Sequence, residues 1–373
     1  MSLSLLETED ETMLRDTARG WLADNAPVLA FRKTRDAGQV FDAGLWREMA
    51  GMGWAGVLVP ENAGGAGMGH RAAGILVEEM GAVLAASPFL SSAVIAATAL
   101  QGVNAKLAAI AGGEVVYALA VDEGTKHVPE RASLHADRIG NGFRLSGTKV
   151  FVADGASADR VLVLARTSGA AGEALGLTLF DIDAGRAGLS RIVKATVDSR
   201  DHAELRFEGV EATGEDIVGE VDNAMAVLAP ALRAGQAGVA AEMLGVAGGA
   251  AAMTLGYLKE RKQFDRTIGS FQALQHRAAH LWSELEVTAS AVAHAGRMLD
   301  ADPEAAEMAV SLAKARATKT ADLAVREGVQ MHGGIGMTDA YDIGFYMKRA
   351  RVAAEWLGDY GYHAAKVAAA RGF

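Results

Sequence analysis

Residues 261–277 read RKQFDRTIGSFQALQHR. The chain on either side is small, apolar and helical in pattern. Val239, Met243, Val246, Ala250, Met253 and Tyr257 alternate steps of four and three and draw one stripe along a long helix. Leu274, Ala278, Leu281 and Leu285 start a second helix. Between the two stand arginine, lysine, phenylalanine and glutamine, and Gly269-Ser270 interrupts what would otherwise be continuous helix. Such a concentration of charge, ring and amide at a helix junction needs an explanation beyond packing.

Working outward, a third helix is expected over about 304–330, ending at HGGIG, and a fourth over about 341–357. Four long helices with short connections predict an antiparallel bundle over 222–373. Upstream, 114–221 carries short apolar runs such as VVYALAV (115–121), DRVLVLART (159–167) and HAELRFEGVEA (202–212), set apart by Gly, Asp, Asn and Ser. These predict an antiparallel β-domain, with IGNGF (139–143) as a hairpin turn. Residues 1–113 read as helices, with Leu14, Ala18, Trp21 and Leu22 on one face. The loop VPENAGGAGMG (59–69) lacks the third glycine of a dinucleotide fingerprint, because position 70 is His70, and reads as a connection. Segregated helical, β and helical blocks imply an α+β fold and argue against alternating βαβ units.

The chain has 373 residues, a net charge of −10 and no cysteine. Disulfides, thiolate catalysis and cysteine-ligated zinc are excluded. An acidic chain does not present the basic face that nucleic acid requires. The acidic N-terminal stretch does not resemble a signal peptide, and the apolar run 82–100 is broken at Ser87-Pro88, as in a buried core helix. A cytoplasmic protein with no membrane and no nucleic-acid partner is the expectation. His332 has no partner at metal-ligand spacing, so no metal is expected.

Three segments, RKQFDRTIGSFQALQHR (261–277), QMHGGIGMT (330–338) and WAGVLVPENAGGAGMG (54–69), together resemble the acyl-CoA dehydrogenase family. The helical–β–helical order is also that family's order, so the resemblance covers the whole chain. It implies noncovalent FAD, a tetramer built from dimer pairs, and oxidation of the Cα–Cβ bond of an acyl-CoA thioester, in fatty acid or steroid degradation. It implies that Arg261 contacts the pyrophosphate of a flavin held mainly by a neighbouring subunit, where a guanidinium fork suits two phosphate oxygens. Phe264, Phe271 and Gln272 would meet the adenosine half. Gln330, Gly333 and Gly334 would lie beside the adenine–ribose end. KVFVADG (149–155) matches the segment that touches the flavin ring, with Phe151 where the family often has tryptophan and Ala153 where a threonine is common. An electron-transfer flavoprotein is the electron acceptor the resemblance implies.

The chain also departs from the family. YALAVDEGTKHVPE (117–130) lacks the acidic-proline turn and the Gly-Ser-Asp that usually contact flavin. The family's reaction needs a carboxylate to remove the α-proton, in a desolvated pocket with the thioester oxygen hydrogen-bonded. One usual glutamate position falls on Leu357 and the other near Gly235, neither acidic. RARVAAEWLGDYGYH (349–363) resembles small subunits of pimeloyl-type and steroid side-chain dehydrogenases. Asp359, just past the glycine, is the candidate base, with Glu355 as the other nearby acid and a loop cap as the competing role for Asp359. Two functions follow: a competent dehydrogenase with an unusual base, or a non-catalytic subunit completing flavin sites in a heteromer. The assembly expected is a homotetramer or a heterotetramer with a second dehydrogenase subunit. Small residues through 235–252 leave room for a bulky acyl chain or, alternatively, permit close helix packing.

Overall fold

Thr8 accepts a hydrogen bond from the Glu11 amide while Glu11 reaches back to the Thr8 amide. This capping box starts α1 (Glu9–Asn25). The structure is a computed structural model that describes residues 7–173 and 175–373. The acidic N-terminal stretch begins in residues 1–6, which lie outside them. Next come α2 (Val28–Asp36), α3 (Ala43–Gly51), α4 (Gly69–Ala82), a π-helical turn at Leu90–Ala96 running into α5 (Ala97–Ala99), and α6 (Asn104–Ala111). Eight strands follow: β1 (Tyr117–Ala120), β2 (His135–Ile139), β3 (Gly142–Ala153), β4 (Arg160–Arg166), β5 (Leu177–Asp183), β6 (Leu189–Val193), β7 (His202–Ala212) and β8 (Ile217–Val218). The chain then forms α7 (Met225–Glu260), a small hairpin of β9 (Lys262–Gln263) and β10 (Arg266–Thr267), α8 (Gln272–Ala301), α9 (Glu307–His332), α10 (Ile343–Glu355) and α11 (Tyr360–Ala370). The order is the α+β one expected, with a short fifth helix, α11, beyond the four foreseen.

Contacts group the chain into two compact units, each described by itself. One comprises Gln39–Gly69 and Ala86–Gly235. Its sheet runs β6-β7-β3-β2-β4-β5-β8. Pairing is antiparallel except that β1 lies parallel to β4, and β2 meets β4 at a single parallel pair. Strands β4 and β5 are buried on both faces, so they read as continuous apolar runs, not as alternation. Phe143, Leu145, Val163, Phe180, Leu205 and Phe207 anchor the core. One buried charge is fully served: Asp181 accepts from Arg160 Nε at 2.7 Å and Tyr117 Oη at 3.2 Å, and pairs with Lys106 at 2.7 Å. The β2–β3 hairpin turns inside the expected IGNGF stretch, at Gly140 and Asn141. Ile139 pairs with Gly142, and Gly140, not Gly142, takes the positive φ. The 59–69 loop is a connection folded back on itself, with Met68 N donating to Val57 O at 2.8 Å and Gly67 N to Val59 O at 2.9 Å.

The second unit comprises the chain up to Gly38, His70–Ala85 and Gln236–Phe373. The single stripe predicted for α7 is a correction: from Val239 to Ala247 every residue is buried, whatever its face. Small residues allow this. Helix α4 lies so close to α7 that a Cβ on Gly245 would stand 1.9 Å from Glu78 O, and one on Gly249 would stand 2.3 Å from Ala82 O. Here the small residues serve close packing. Helix α7 is long and apolar enough to cross a membrane, yet 72% of its most apolar window is buried inside the protein. On α1 the sequence pattern missed Arg15, which is buried and ion-paired to Glu7, Glu78 and Glu79.

Candidate functional site

Helix α7 stops at Glu260, and β9 and β10 reverse the chain with Arg266 opposite Gln263. The two residues at the tip, Phe264 and Asp265, both have positive φ, +55° and +62°. A turn of this kind normally carries Asn or Gly, and a bulky residue in the left-handed region is an outlier that persists only when its surroundings hold it. Phe264 is also 85% exposed. Gly269 lets the hairpin fold onto the helix end, because a Cβ there would meet Leu258 O at 2.7 Å. Phe271, at the N-cap of α8, faces Phe264 edge-on at 6.2 Å and carries the Arg266 guanidinium 4.1 Å above its ring. Arg261 and Gln272 are exposed, and their side chains make no hydrogen bond or ion pair among the described residues.

Helix α9 ends at His332, and Gly333 follows with φ +65° and ψ −144°, a conformation that suits glycine. Nothing lies within 4 Å of where a Cβ would sit on Gly333 or Gly334. Both line a cleft of about 320 Å³ with Arg326, Gln330, Met337 and Met347. The structure brings this segment to the hairpin through aromatic stacking. The His332 ring lies 4.5 Å from Tyr257, whose carbonyl accepts from Arg261 N, and 4.9 Å from Tyr341. His332 Nδ1 contacts Gly328 O at 2.7 Å, and burial pushes the imidazole below its ordinary range. His332 is therefore a neutral core side chain.

Phe151 and Ala153 belong to the other unit. Phe151 sits in the bulge of β3 with φ +52° and is 57% exposed, a second aromatic ring held out by left-handed backbone. Ala153 is buried and pairs with His202. The strand is anchored just before them. Lys149 is fully buried, with Nζ donating to Val121 O at 3.1 Å and Glu123 Oε1 at 2.6 Å. Burial pushes the Lys149 ammonium down. Burial alone would raise the Glu123 carboxyl, but Lys149 and hydrogen bonds from Ser133 and Leu134 hold it below its usual range.

The turn after α10 contains the remaining candidate. Leu357 is buried at φ +57°. Asp359 is the N-cap of α11, its Oδ1 accepting from Tyr362 N at 2.8 Å. Glu355 is exposed and paired with Arg351 at 3.0 Å.

Two family models match the sequence: the acyl-CoA dehydrogenase N-terminal domain over residues 8–105 and the C-terminal domain over 225–371. Acyl-CoA dehydrogenase IpdE2 of Mycobacterium tuberculosis is 31% identical over 94% of this chain and 93% of its own length. The chain belongs to the acyl-CoA dehydrogenase family. A solved structure described as a variant of the Tcur3481–Tcur3483 steroid ACAD is 31% identical, with TM-score 0.87 over 98% of both chains. One described as an electron transferring flavoprotein of Acidaminococcus fermentans is 27% identical, with TM-score 0.92 over 100% of this chain and 99% of that one.

For this acyl-CoA dehydrogenase, reading the sequence missed Arg266 on Phe271, the Tyr257–His332–Tyr341 stack and Lys314. Only Lys314 left a signal. It stands with Val310, Ala313, Ala317 and Ala321 on one helical face, a lysine in a core stripe.

Proposed function

We propose that this chain is an FAD-dependent dehydrogenase of acyl-CoA thioesters, acting between Cα and Cβ. The observation that carries the reading is the outfacing set Arg261, Phe264, Phe271 and Gln272 tied through Tyr257 and His332 to the open glycine face of Gly333 and Gly334. A cation with no partner among the described residues, an aromatic ring held out in strained backbone and a backbone face free of side chains fit a ligand that joins phosphate to aromatic rings. In this reading Arg261 binds the pyrophosphate of an FAD held mainly by a neighbouring subunit. Phe264, Phe271 and Gln272 flank the adenosine half, and Gln330, Gly333 and Gly334 take the adenine–ribose end. Phe151 and the Ala153 backbone face the isoalloxazine of the FAD that this chain's own β-domain holds. Bound FAD supplies the hydride acceptor. Asp359 is the proposed base for the α-proton, oriented by the Tyr362 amide. Electrons pass on to an electron-transfer flavoprotein. The assembly is a homotetramer or a heterotetramer with a second dehydrogenase subunit, in the cytoplasm. The likeness to the steroid enzyme supports a bulky acyl group among the substrates to be tried.

Two substitutions test the assignments separately. Arg261→Ala removes a charge-assisted contact of roughly 1.5–3 kcal/mol, so FAD affinity measured by equilibrium dialysis should fall about ten- to a hundredfold. Unchanged affinity would remove Arg261 from the flavin site. Asp359→Asn keeps an equally good N-cap for α11 and deletes only the charge. It should abolish bleaching of the flavin by acyl-CoA while FAD stays bound. Full bleaching in that variant would shift the role to Glu355.

A further inference from the structure

Helix α10 ends at Glu355; Trp356 N still donates to Val352 O at the C-cap, while the carbonyls of Ala353 and Ala354 lie beyond the last helical donor. One buried side chain meets both. Lys314 of α9 is fully buried, and its Nζ donates to Ala353 O, Ala354 O and Gly358 O, each at 3.1 Å. An ammonium has three donors, and here all three go to backbone. Among the described residues no carboxylate lies within salt-bridge distance of Nζ. Among the surrounding acids, Glu242 is bound to Arg349, Glu355 to Arg351, and Asp359 caps α11. The charge is offset by carbonyl dipoles at the negative end of α10.

The turn that Lys314 grips is strained, with Leu357 at φ +57°. Two more buried side chains hold it. Gln236 Nε2 of α7 donates to Leu357 O at 3.2 Å, and His363 Nε2 of α11 contacts the same oxygen at 3.1 Å. Since a carbonyl only accepts, His363 carries a proton on Nε2, and its Nδ1 contacts Ser311 Oγ at 3.3 Å. Three helices therefore each send one buried polar side chain to the backbone of residues 353–358. An apolar residue at 314 would fill the core without the desolvation penalty of a charge. A lysine used this way fixes the path of a turn.

We infer that Lys314 is a positioning residue: it locks the turn between α10 and α11 in one conformation and thereby sets the direction in which Asp359 leaves it. This rests on the reading of Asp359 as part of the reacting site. The device is also titratable. Burial pushes the Lys314 ammonium down to about 7, against the pull of Glu355, Asp359 and Glu242. A neutral amine keeps two donors for three carbonyls, so one contact is lost as the pH rises. Arg349, Arg351 and His363 are the other ionisable groups around it.

The test compares the FAD-loaded wild type with Lys314→Met by amide hydrogen exchange and by steady-state kinetics. Exchange over 353–360 should quicken by about tenfold or more while 261–277 is unchanged. kcat should fall about tenfold or more with KM within about twofold, the pattern of lost transition-state geometry. Exchange in 353–360 that stays at wild-type rates, or rises equally throughout α8–α11, overturns the inference, as does a loosened turn with normal kcat. Should Lys314→Met fail to fold, Gln236→Leu removes a second grip on the same turn and should give the same local signature; wild-type exchange there would be contrary. If no thioester bleaches the wild-type flavin, the reading of Asp359 fails, while the exchange data still decide whether Lys314 holds the turn.

Discussion

Gly245→Ala should lower the stability of the unit built on α4 and α7 by about 3 kcal/mol or more, at the upper end of what overpacking costs. The new methyl would stand 1.9 Å from Glu78 O, 2.8 Å from Glu78 C and 2.9 Å from Ala82 N. These are backbone atoms inside a helix, so no side chain can turn aside. The contact is reciprocal, because a Cβ on Gly81 would meet Glu242 O at 2.4 Å. The helices would have to separate and uncover the apolar residues packed between them. Alanine's better helix propensity returns at most about 1 kcal/mol. The comparison is Gly248→Ala, one turn on, where nothing lies within 4 Å. That variant should be neutral or slightly stabilising. Urea unfolding of both variants checks the pair, and a Gly245→Ala midpoint at or above the wild-type value would contradict the packing described.

Lys314 gives the second large effect, through the dependence of stability on pH. Its ordinary value is 10.5 and its folded value is about 7. Between these limits the unfolded chain holds a proton that the folded chain has released, so this residue makes stability rise with pH across that window. The slope is about 1.4 kcal/mol per pH unit. Below about 7 both states are protonated, the cost of burying the charge is fully present and the term is flat. Methionine at 314 has no such term. Lys314→Met carries a fixed cost for three carbonyls left without a donor, offset at low pH by removal of the buried charge. The stability difference, wild type minus variant, should therefore be smallest below pH 7 and grow by several kcal/mol towards pH 10. A difference that stays constant from pH 6 to 10 would mean that Lys314 titrates alike in both states.

What was legible in the sequence was the punctuation. The breaker Gly269-Ser270, the Gly333-Gly334 stop of α9 and the shift to short strands near 114 are local signals, and local signals survive in letters. The residues that shape the site depend on backbone conformation or on partners far along the chain. Phe-Asp at 264–265 does not read as a turn, since aspartate tolerates positive φ but phenylalanine rarely accepts it; the hairpin imposes it on Phe264. Burial all round α7 between Val239 and Ala247 is invisible to a stripe analysis, because alanine and glycine give the helix no contrasting face. Arg15 reads as a surface cation until Glu78 and Glu79 arrive from α4. IGNGF marked the hairpin but not its tip, because either glycine accepts positive φ, and it is Gly140 that takes it. Asp359 is the instructive case. Its sequence position left both a cap and a base open, and the structure supplies the capping bond.

The most direct measurement is an anaerobic titration of the FAD-loaded chain with a panel of acyl-CoA thioesters, from short and branched to steroid side-chain analogues. The oxidised-flavin absorbance is followed and the CoA products are weighed. At least one thioester should bleach the flavin and return a product two hydrogens lighter. A flavin that stays bound and oxidised with every thioester, and bleaches only once a second dehydrogenase subunit is added, would show that this chain completes a site whose chemistry another subunit performs.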